Sequence, residues 1–203
     1  MEEAMTTKDK IEKTALDMFS KRGYRAVSIR DICKEVGIKE STIYYYYKSK
    51  KDIMDSLIMK VNQLIDVMKE RFNLQFEAVT EITEDDMCQV AVAYFMNYYM
   101  NPFVHQMLSF LTIERMSDPN AADVYQKIVF ELPLKQQETV FEKMMERGFI
   151  RENSVTVLAQ QYNAIIYFAF QKNCMSGSIT EEQKRLSREE ISNNMRDFYS
   201  KMR

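Results

Sequence analysis

The sequence contains few of the residues that interrupt helices: it has four glycines and three prolines in 203 residues. Glycine and proline mark most turns, so few turn signals divide the chain. Methionine occurs 16 times, and leucine, isoleucine, lysine and glutamate recur, which supplies ample material for helices. An all-α fold is therefore predicted.

Cysteine is also scarce and is not arranged in pairs. Cys33, Cys88 and Cys174 are odd in number, lie far apart and include no Cys-x-x-Cys spacing. This pattern indicates neither a disulfide framework nor a zinc site. Buried free thiols in a reducing cytosol are the expectation.

The sequence has a single histidine, His105, on which any histidine-based catalysis or metal site would depend. It contains no glycine-rich phosphate loop, no Ser-His-Asp arrangement and no set of metal ligands. We therefore predict no catalytic residues, no metal and no cofactor, and we interpret His105 as a structural or pocket residue.

No apolar run reaches the roughly 18 residues that a membrane-spanning helix requires. The first residues, MEEAMTTKDKIEK, lack a charged leader followed by an apolar stretch. We expect no membrane association and a cytoplasmic location.

The formal net charge of -2 is unevenly distributed along the chain. Residues 1–60 contain 13 Lys and Arg against 10 Asp and Glu, a net +3, whereas residues 61–203 contain 15 against 20, a net -5. A basic head on an acidic body is typical of a DNA-binding head joined to a separate body.

Apolar spacing and capping residues predict about nine helices. They lie at about 6–22, 28–36, 42–47, 50–76, 84–100, 102–117, 121–147, 154–173 and 187–202. Ser28 is predicted to cap the second helix, with Asp31 close to the amides of its first turn. Pro133 predicts a kink or break within its helix. The predicted architecture is a three-helix helix-turn-helix head followed by a larger C-terminal helical bundle.

Residues 27–47 have the spacing of a helix-turn-helix, with Gly37 in the tight turn between two short helices. In this motif the second helix enters the major groove while the first braces it. Apolar side chains are predicted to pack these helices inward: Val27, Ile29, Ile32, Val36, Ile38 and Ile43. Donors and aromatics are then left facing outward: Arg30, Lys39, Ser41, Thr42, Tyr45 and Tyr46.

The segment AVSIRDICKEVGIKESTIYYYYKSKKDI, residues 26–53, resembles the tetracycline-repressor (TetR) family of regulators. The shared pattern is Ser-Ile-x-x-Ile, Val-Gly-Ile at the turn, Thr-Ile-Tyr-Tyr, and Lys-Ser-Lys-x-x-Ile opening the fourth helix. Phe19 and Gly23 also match, and the resemblance covers about a quarter of the chain.

The resemblance, together with the outward position of Tyr46, implies a role in DNA binding for ten residues. Ser28 and Arg30 are expected near the backbone or groove edge. Tyr44 and Tyr45 match paired aromatics whose hydroxyls meet phosphate, and Lys50 matches a basic backbone anchor. The full set is Ser28, Arg30, Lys39, Glu40, Ser41, Thr42, Tyr44, Tyr45, Tyr46 and Lys50.

The segment departs from the family pattern where bases are read. Tyr46 stands where His is usual, Tyr47 where Phe is usual, and Lys39-Glu40-Ser41 where Ser-Lys-Gly is usual. Glu40 either accepts a hydrogen bond from cytosine N4 or favours the helix dipole. Either Tyr44 or Tyr47 must pack inward.

A single helix-turn-helix contacts little DNA, so a homodimer on a palindromic operator is expected. The helix over 155–170 has one apolar stripe and a second one through Val157, Ala164 and Phe168. We predict that the last two helices form a four-helix bundle between two copies, as in TetR-like proteins. The residues assigned to this interface are Leu158, Tyr162, Ile165, Ile166, Phe168, Met195, Phe198 and Tyr199.

The middle of the chain concentrates aromatic residues and methionines. Most belong to the core, but Met adapts to irregular cavities, which suits a pocket for a small apolar or aromatic effector. The pocket assignment comprises Tyr94, Phe95, Tyr98, Tyr99, Phe103, His105, Met107 and Phe110.

The domain prediction is a DNA-binding domain over 1–50 and a ligand-binding and dimerisation domain over 51–203. The leading hypothesis is a repressor released from DNA by a small ligand. The alternative is a DNA-binding dimer without such an effector, controlled by protein partners. An enzyme is disfavoured because the sequence lacks a set of catalytic residues. A helical protein-interaction module would leave the pattern of residues 26–53 unexplained. An activator could carry the same DNA-binding head as a repressor.

Overall fold

A computed structural model describes residues 5–151, 154–174 and 179–202. Within these ranges the secondary structure is helical, without strands. The helices are α1 (Thr7–Arg22), α2 (Ile29–Val36), α3 (Glu40–Tyr46), α4 (Lys50–Glu77), α5 (Glu84–Asn97), α6 (Pro102–Glu114), α7 (Pro119–Gln126), α8 (Leu132–Glu146), α9 (Val155–Asn173) and α10 (Glu181–Met202). A π-helical turn, Lys127–Glu131, joins α7 to α8. When α7, the π-helical turn and α8 are counted as one helix, the described residues form nine helices, as predicted.

Local capping explains where the first helices begin and end. The Thr6 side chain accepts a hydrogen bond from the Asp9 amide at the start of α1. Ser28 and Asp31 form a reciprocal capping box at α2, which confirms the predicted cap. Gly37 ends α2 in the left-handed conformation, with φ of 78°.

The first compact unit comprises Met1–Val67 and Gln106–Tyr125. It contains α1 to α3 and most of α4, α6 and α7. The core of this unit is built from fully buried apolar side chains: Ile11, Ala15, Leu16, Phe19, Ile32, Ile43, Ile53, Leu57 and Val61. Burying such side chains is the main force that holds short helices together.

The second compact unit comprises Met68–His105 and Gln126–Arg203. Here α10 packs on α5 and α9, and α8 packs on α9. Arg147 donates to the carbonyls of Phe76 and Val79, at 2.7 Å each, where α4 ends. Its guanidinium thus ties the end of α8 to the last turn of α4 and the residues just after it.

The helix continues through Pro133, and a π-helical turn lies just before this residue. In this turn the Leu132 amide donates to the carbonyl of Lys127, five residues back. The next amide in the same register would bond to Ile128, but proline has none. The Tyr98 hydroxyl donates to the Ile128 carbonyl instead, at 2.9 Å.

Several predicted helix boundaries differ from those observed. The third helix begins at Glu40 instead of 42, and the last begins at Glu181 instead of 187. The last helix starts earlier because Thr180 and Gln183 form a reciprocal cap, which the apolar spacing does not reveal. In the described ranges, no helix combines the length and hydropathy needed to cross a membrane.

Candidate nucleic-acid interface

Two short helices, α2 and α3, form the helix-turn-helix. Gly37 closes α2 with its amide on the Cys33 carbonyl, and the Ile38 amide donates to the same oxygen. Ile32 of α2 and Ile43 of α3 are fully buried. One apolar face of each helix is thus sequestered, and the opposite face of α3 is left open to solvent.

The open face of α3 carries the tyrosines that the sequence assigned to DNA. Tyr45 is 84% exposed, and Tyr44 and Tyr46 are also exposed. The rings of Tyr45 and Tyr46 meet edge to face, with centroids 5.0 Å apart. Tyr47 is the tyrosine that turns inward and is buried, so three consecutive aromatic side chains remain available at this surface.

The polar residues at the start of α3 are accessible as well. Lys39, the N-cap, makes no side-chain capping bond, and Lys39, Glu40 and Ser41 are exposed, while Thr42 is half-buried. Glu40 forms an ion pair with Arg30 of α2, with 2.9 Å between the Arg30 Nε and the Glu40 Oε1 atoms. Arg30 of α2 and Glu40 of α3 therefore lie side by side at the surface, next to a recognition helix whose first residues are accessible.

Ser28 already has a local role, because its hydroxyl donates to Asp31 at 2.6 Å and accepts from the Asp31 amide at 3.1 Å. The Ser28 hydroxyl and the Ser28 amide both donate to the Asp31 carboxylate, and these two hydrogen bonds hold the pKa of Asp31 below its ordinary value. The side chain of Ser28 is exposed, so it caps α2 beside the surface that Arg30 and Glu40 occupy.

Lys50 is half-buried and is engaged within the chain. Its Nζ donates to the carbonyls of Tyr24 and Val27, at 2.7 Å each, and lies 4.2 Å from the centroid of the Tyr24 ring. Burial lowers the pKa of Lys50. In this structure Lys50 ties the start of α4 to the turn between α1 and α2.

The same turn is held from α6, a contact that sequence reasoning missed. The Tyr24 amide donates to Oε1 of Glu114 at 3.0 Å. Gly23 precedes it with φ of 81° and ψ of 153°, a region that essentially only glycine adopts. A Cβ at Gly23 would lie 2.7 Å from the same Glu114 oxygen. The glycine therefore permits both the backbone turn and the close approach of Glu114.

A buried polar network behind the recognition helix was also missed. The Glu12 carboxylate on α1 accepts hydrogen bonds from the hydroxyls of Tyr47 and Ser56 and pairs with Lys60 on α4. Lys60 also contacts Asp9 at 2.9 Å. Two signals could have revealed this network: a glutamate beside the apolar residue Ile11, and a tyrosine where the family has Phe.

The residues assigned to an effector pocket divide between the two units. In the second unit, Tyr94 stacks on Tyr98 with ring centroids 5.6 Å apart, and Tyr98 meets Tyr99 edge to face at 5.2 Å. The same unit holds buried Phe95 and His105 and half-buried Phe103. Burial lowers the pKa of His105, which favours its neutral form.

Met107 and Phe110 belong instead to the first unit, and both are buried. The Phe110 ring lies 5.9 Å from that of Phe19 and 6.5 Å from that of Tyr24, measured between centroids. Phe110 is therefore a core residue of the unit that carries the helix-turn-helix.

Most residues assigned to the dimer interface are buried within their own chain. Tyr162 and Phe198 pack around Phe141, and the Tyr199 hydroxyl donates to the Ile82 carbonyl at 2.6 Å. The buried set is Leu158, Tyr162, Ile166, Met195, Phe198 and Tyr199. These side chains face the core because α5, α8, α9 and α10 bury them against one another, and this leaves half-buried Ile165 and exposed Phe168.

The surface of α9 that remains open is the second apolar stripe. Val157 is 45% and Phe168 57% exposed, and Ala164 between them is exposed. Positions 157, 164 and 168 recur on one helical face, so the stripe forms a continuous surface.

Cys33, Cys88 and Cys174 are buried free thiols. Burial raises the pKa of each thiol. Across the described ranges, no group of three or more His, Cys, Asp or Glu side chains is placed to bind a metal ion.

The fold and this surface define a helix-turn-helix protein, and comparisons with known proteins show which proteins it resembles. Residues 11–57 match the family model described as "Bacterial regulatory proteins, tetR family". The biofilm operon icaADBC HTH-type negative transcriptional regulator IcaR of Staphylococcus aureus (strain Newman) is 28% identical over 95 residues, 45% of this chain and 51% of that protein. The chain spans about half the length of the curated relatives it matches.

Solved structures resemble nearly the whole chain. A putative TetR-family transcriptional regulator from Mesorhizobium loti superposes with a TM-score of 0.75 at 17% identity, covering 96% of this chain and 95% of that one. A putative transcriptional regulator from Saccharomonospora viridis, in complex with choline, has a TM-score of 0.61 at 19% identity and covers 95% of each chain. At these identities the likeness concerns the fold.

The N-terminal segment of the chain therefore resembles the TetR family, and the fold of nearly the whole chain resembles that of a putative TetR-family regulator. The curated relatives are HTH-type negative transcriptional regulators.

Proposed function

We propose that this protein is a homodimeric repressor that acts in the cytoplasm by binding a palindromic operator in double-stranded DNA. The single observation that supports this most strongly is the open face of α3, where Tyr44, Tyr45 and Tyr46 are exposed beside Lys39. Exposed aromatic side chains contribute little hydrophobic stabilisation to the fold, whereas hydroxyls and cations at a recognition helix contact phosphates and base edges. In this proposal residues 1–50 bind DNA, and residues 51–203 bind the effector and the second copy.

The proposed DNA contacts fall into two groups. Residues at the start of α3 face base edges, and the tyrosine hydroxyls and basic side chains around them meet the backbone. The complete set is Ser28, Arg30, Lys39, Glu40, Ser41, Thr42, Tyr44, Tyr45, Tyr46 and Lys50.

An electrophoretic mobility shift with the DNA upstream of the protein's own gene tests this proposal. Lys39→Ala and Tyr45→Ala are expected to weaken binding by about tenfold or more, because each removes a contact without disturbing the buried core. Lys69→Ala, an exposed lysine of α4 in the second unit, is the matched control. Affinity should also fall steeply with salt, since phosphate contacts release counterions. Unchanged binding by both α3 variants would refute the assigned surface.

The second copy is proposed to dock on the exposed stripe of α9, Val157, Ala164 and Phe168, with the buried residues of α9 and α10 supporting it from behind. Phe168→Glu places a charge in this surface and should shift the mass in light scattering from twice 24.1 kDa to 24.1 kDa. Leu74→Glu, at an exposed position of α4, is the control. A wild-type mass of one chain at working concentrations would contradict the dimer.

We further propose that a small apolar or aromatic effector releases the repressor from DNA. The tyrosine cluster of the second unit offers aromatic surface with hydroxyls, and one solved neighbour was crystallised with choline. Screening small molecules by thermal shift tests this, because a ligand of the native state raises its apparent stability. If none raises it, the alternative is favoured: a DNA-binding dimer controlled by protein partners.

The relative IcaR is a negative regulator, which supports repression over activation for this protein.

A further inference from the structure

The first residue of the recognition helix is held by an arginine from the neighbouring helix. Arg30 and Glu40 are ten residues apart in the chain, and their side chains meet at 2.9 Å. Both remain accessible, since the Arg30 side chain is 83% and that of Glu40 44% exposed. The pair therefore joins α2 to α3 at the outer surface of the motif, not in its core.

Folding gives little reason for this pair. An exposed ion pair contributes little to stability, because water screens the charges and the side chains lose freedom. The core of the motif rests on Ile32 and Ile43, which are fully buried. We therefore expect the ion pair to act on the molecule that binds at this surface, not on the stability of the fold.

A carboxylate at this position is unusual for a DNA-binding surface, because phosphates repel it. Arg30 offsets this repulsion by neutralising the charge of Glu40. The carboxylate becomes favourable where it accepts a hydrogen bond from a donor. In the major groove the exocyclic amino group of cytosine is a donor, and Glu accepts from it. The first residues of a recognition helix are those that reach base edges.

From this geometry we infer that Glu40 is a specificity-determining residue that accepts a hydrogen bond from cytosine N4, and that Arg30 is the positioning residue that orients its carboxylate. The inference rests on the proposed DNA-binding function and deepens it. On other DNA, Glu40 keeps Arg30 paired and repels phosphates, which lowers non-specific affinity.

Selection from a library of random DNA duplexes tests the inference with the full-length protein. The wild type is expected to enrich a motif with a C·G pair at one position of each half-site. Glu40→Gln should lose that preference and gain adenine there, since Gln bonds to adenine N6 and N7. It should also bind a non-selected duplex roughly tenfold more tightly, because a repelling charge is gone.

Glu35→Gln is the matched control, because it removes the same charge from an exposed position on α2 while leaving Arg30 and Glu40 intact. Its selected motif should be that of the wild type. Arg30→Gln should weaken the cytosine preference, and Arg30→Lys should restore part of it by returning the charge.

The outcomes separate this inference from the proposed function. If the wild type enriches a motif and Glu40→Gln enriches the same base at every position, the assignment of Glu40 is overturned while DNA binding stands. If the wild type enriches no motif at all, the proposed function itself fails, and the inference with it.

Discussion

The hydroxyl of Tyr47, just after the recognition helix, donates a hydrogen bond to the carboxylate of Glu12 on α1, and both side chains are buried. Ser56 and Lys60 of α4 bond to the same carboxylate. The Glu12 side chain therefore links α1, the end of α3 and α4.

The pairing of Tyr47 with Glu12 predicts strong coupling between the two positions. Glu12→Leu leaves the Tyr47 hydroxyl buried without its acceptor and should lower the free energy of unfolding by about 1–3 kcal/mol. Adding Tyr47→Phe should recover part of this loss, because replacing both partners by apolar groups removes the unmet hydrogen bond. Urea unfolding of the wild type, both single variants and the double variant measures the coupling. Additive effects would contradict it.

The same network predicts how stability depends on pH. Burial raises the pKa of Glu12, but hydrogen bonds from Lys60, Ser56 and Tyr47 outweigh it, so the net pKa lies below its ordinary value of 4.5. A lowered folded pKa gives stability that is present above pH 4.5 and is lost as pH falls through the folded value.

Unfolding free energies of the wild type and Glu12→Gln between pH 7 and pH 3 test this. The loss on acidification should be smaller in the variant, because the neutral amide does not titrate. Asp9, whose pKa is also lowered, chiefly by its hydrogen bond from Thr6, is present in both proteins and is thereby controlled. Parallel pH profiles would show that Glu12 contributes nothing to the dependence.

The contacts of Lys50 predict a structural role alongside its proposed DNA contact. Lys50→Met keeps the stem but removes the donor to the carbonyls of Tyr24 and Val27, which should lower stability by about 1–3 kcal/mol. Lys51→Met, at the exposed neighbouring position, should change stability little. If Lys50→Met weakens DNA binding without any loss of stability, Lys50 acts on phosphate alone.

The π-helical turn before Pro133 predicts that Tyr98 supports the helix. Tyr98→Phe leaves the Ile128 carbonyl without its donor, at a cost of about 1 kcal/mol or more. In a Pro133→Ala background the new amide can donate to that carbonyl, so the same change should cost less. Thermal or urea unfolding of the four proteins measures the difference, with Tyr94→Phe as a control that leaves the Ile128 bond intact. Equal costs in both backgrounds would exclude this role.

Much of the fold was predictable because its signals are local. Ser28 and Asp31 lie three residues apart and cap α2 through their own backbone, and Gly37 ends α2 because the left-handed turn favours glycine. Residues 26–53 carried the family resemblance in the same way, since every position lies within one short segment.

The candidate site was predictable only in part, as Tyr47 and Phe168 illustrate. The sequence required either Tyr44 or Tyr47 to pack inward, and the structure buries Tyr47, whose hydroxyl donates to Glu12 on α1. Phe168 and Leu158 both lie on apolar stripes of α9, but Leu158 is 3% and Phe168 57% exposed. Periodicity identifies which residues share a helical face, not which face meets another helix.

By itself the sequence determined the helices, their caps and the class of the N-terminal motif, because hydrogen bonds and apolar spacing within a few residues decide them. Only the tertiary structure decided the partners of Glu12, Lys50 and Tyr98. Tyr47 is 35 residues from Glu12, and Ile128 is 30 residues from Tyr98. Packing brings such groups together, and no local pattern in the chain records which buried polar groups will meet.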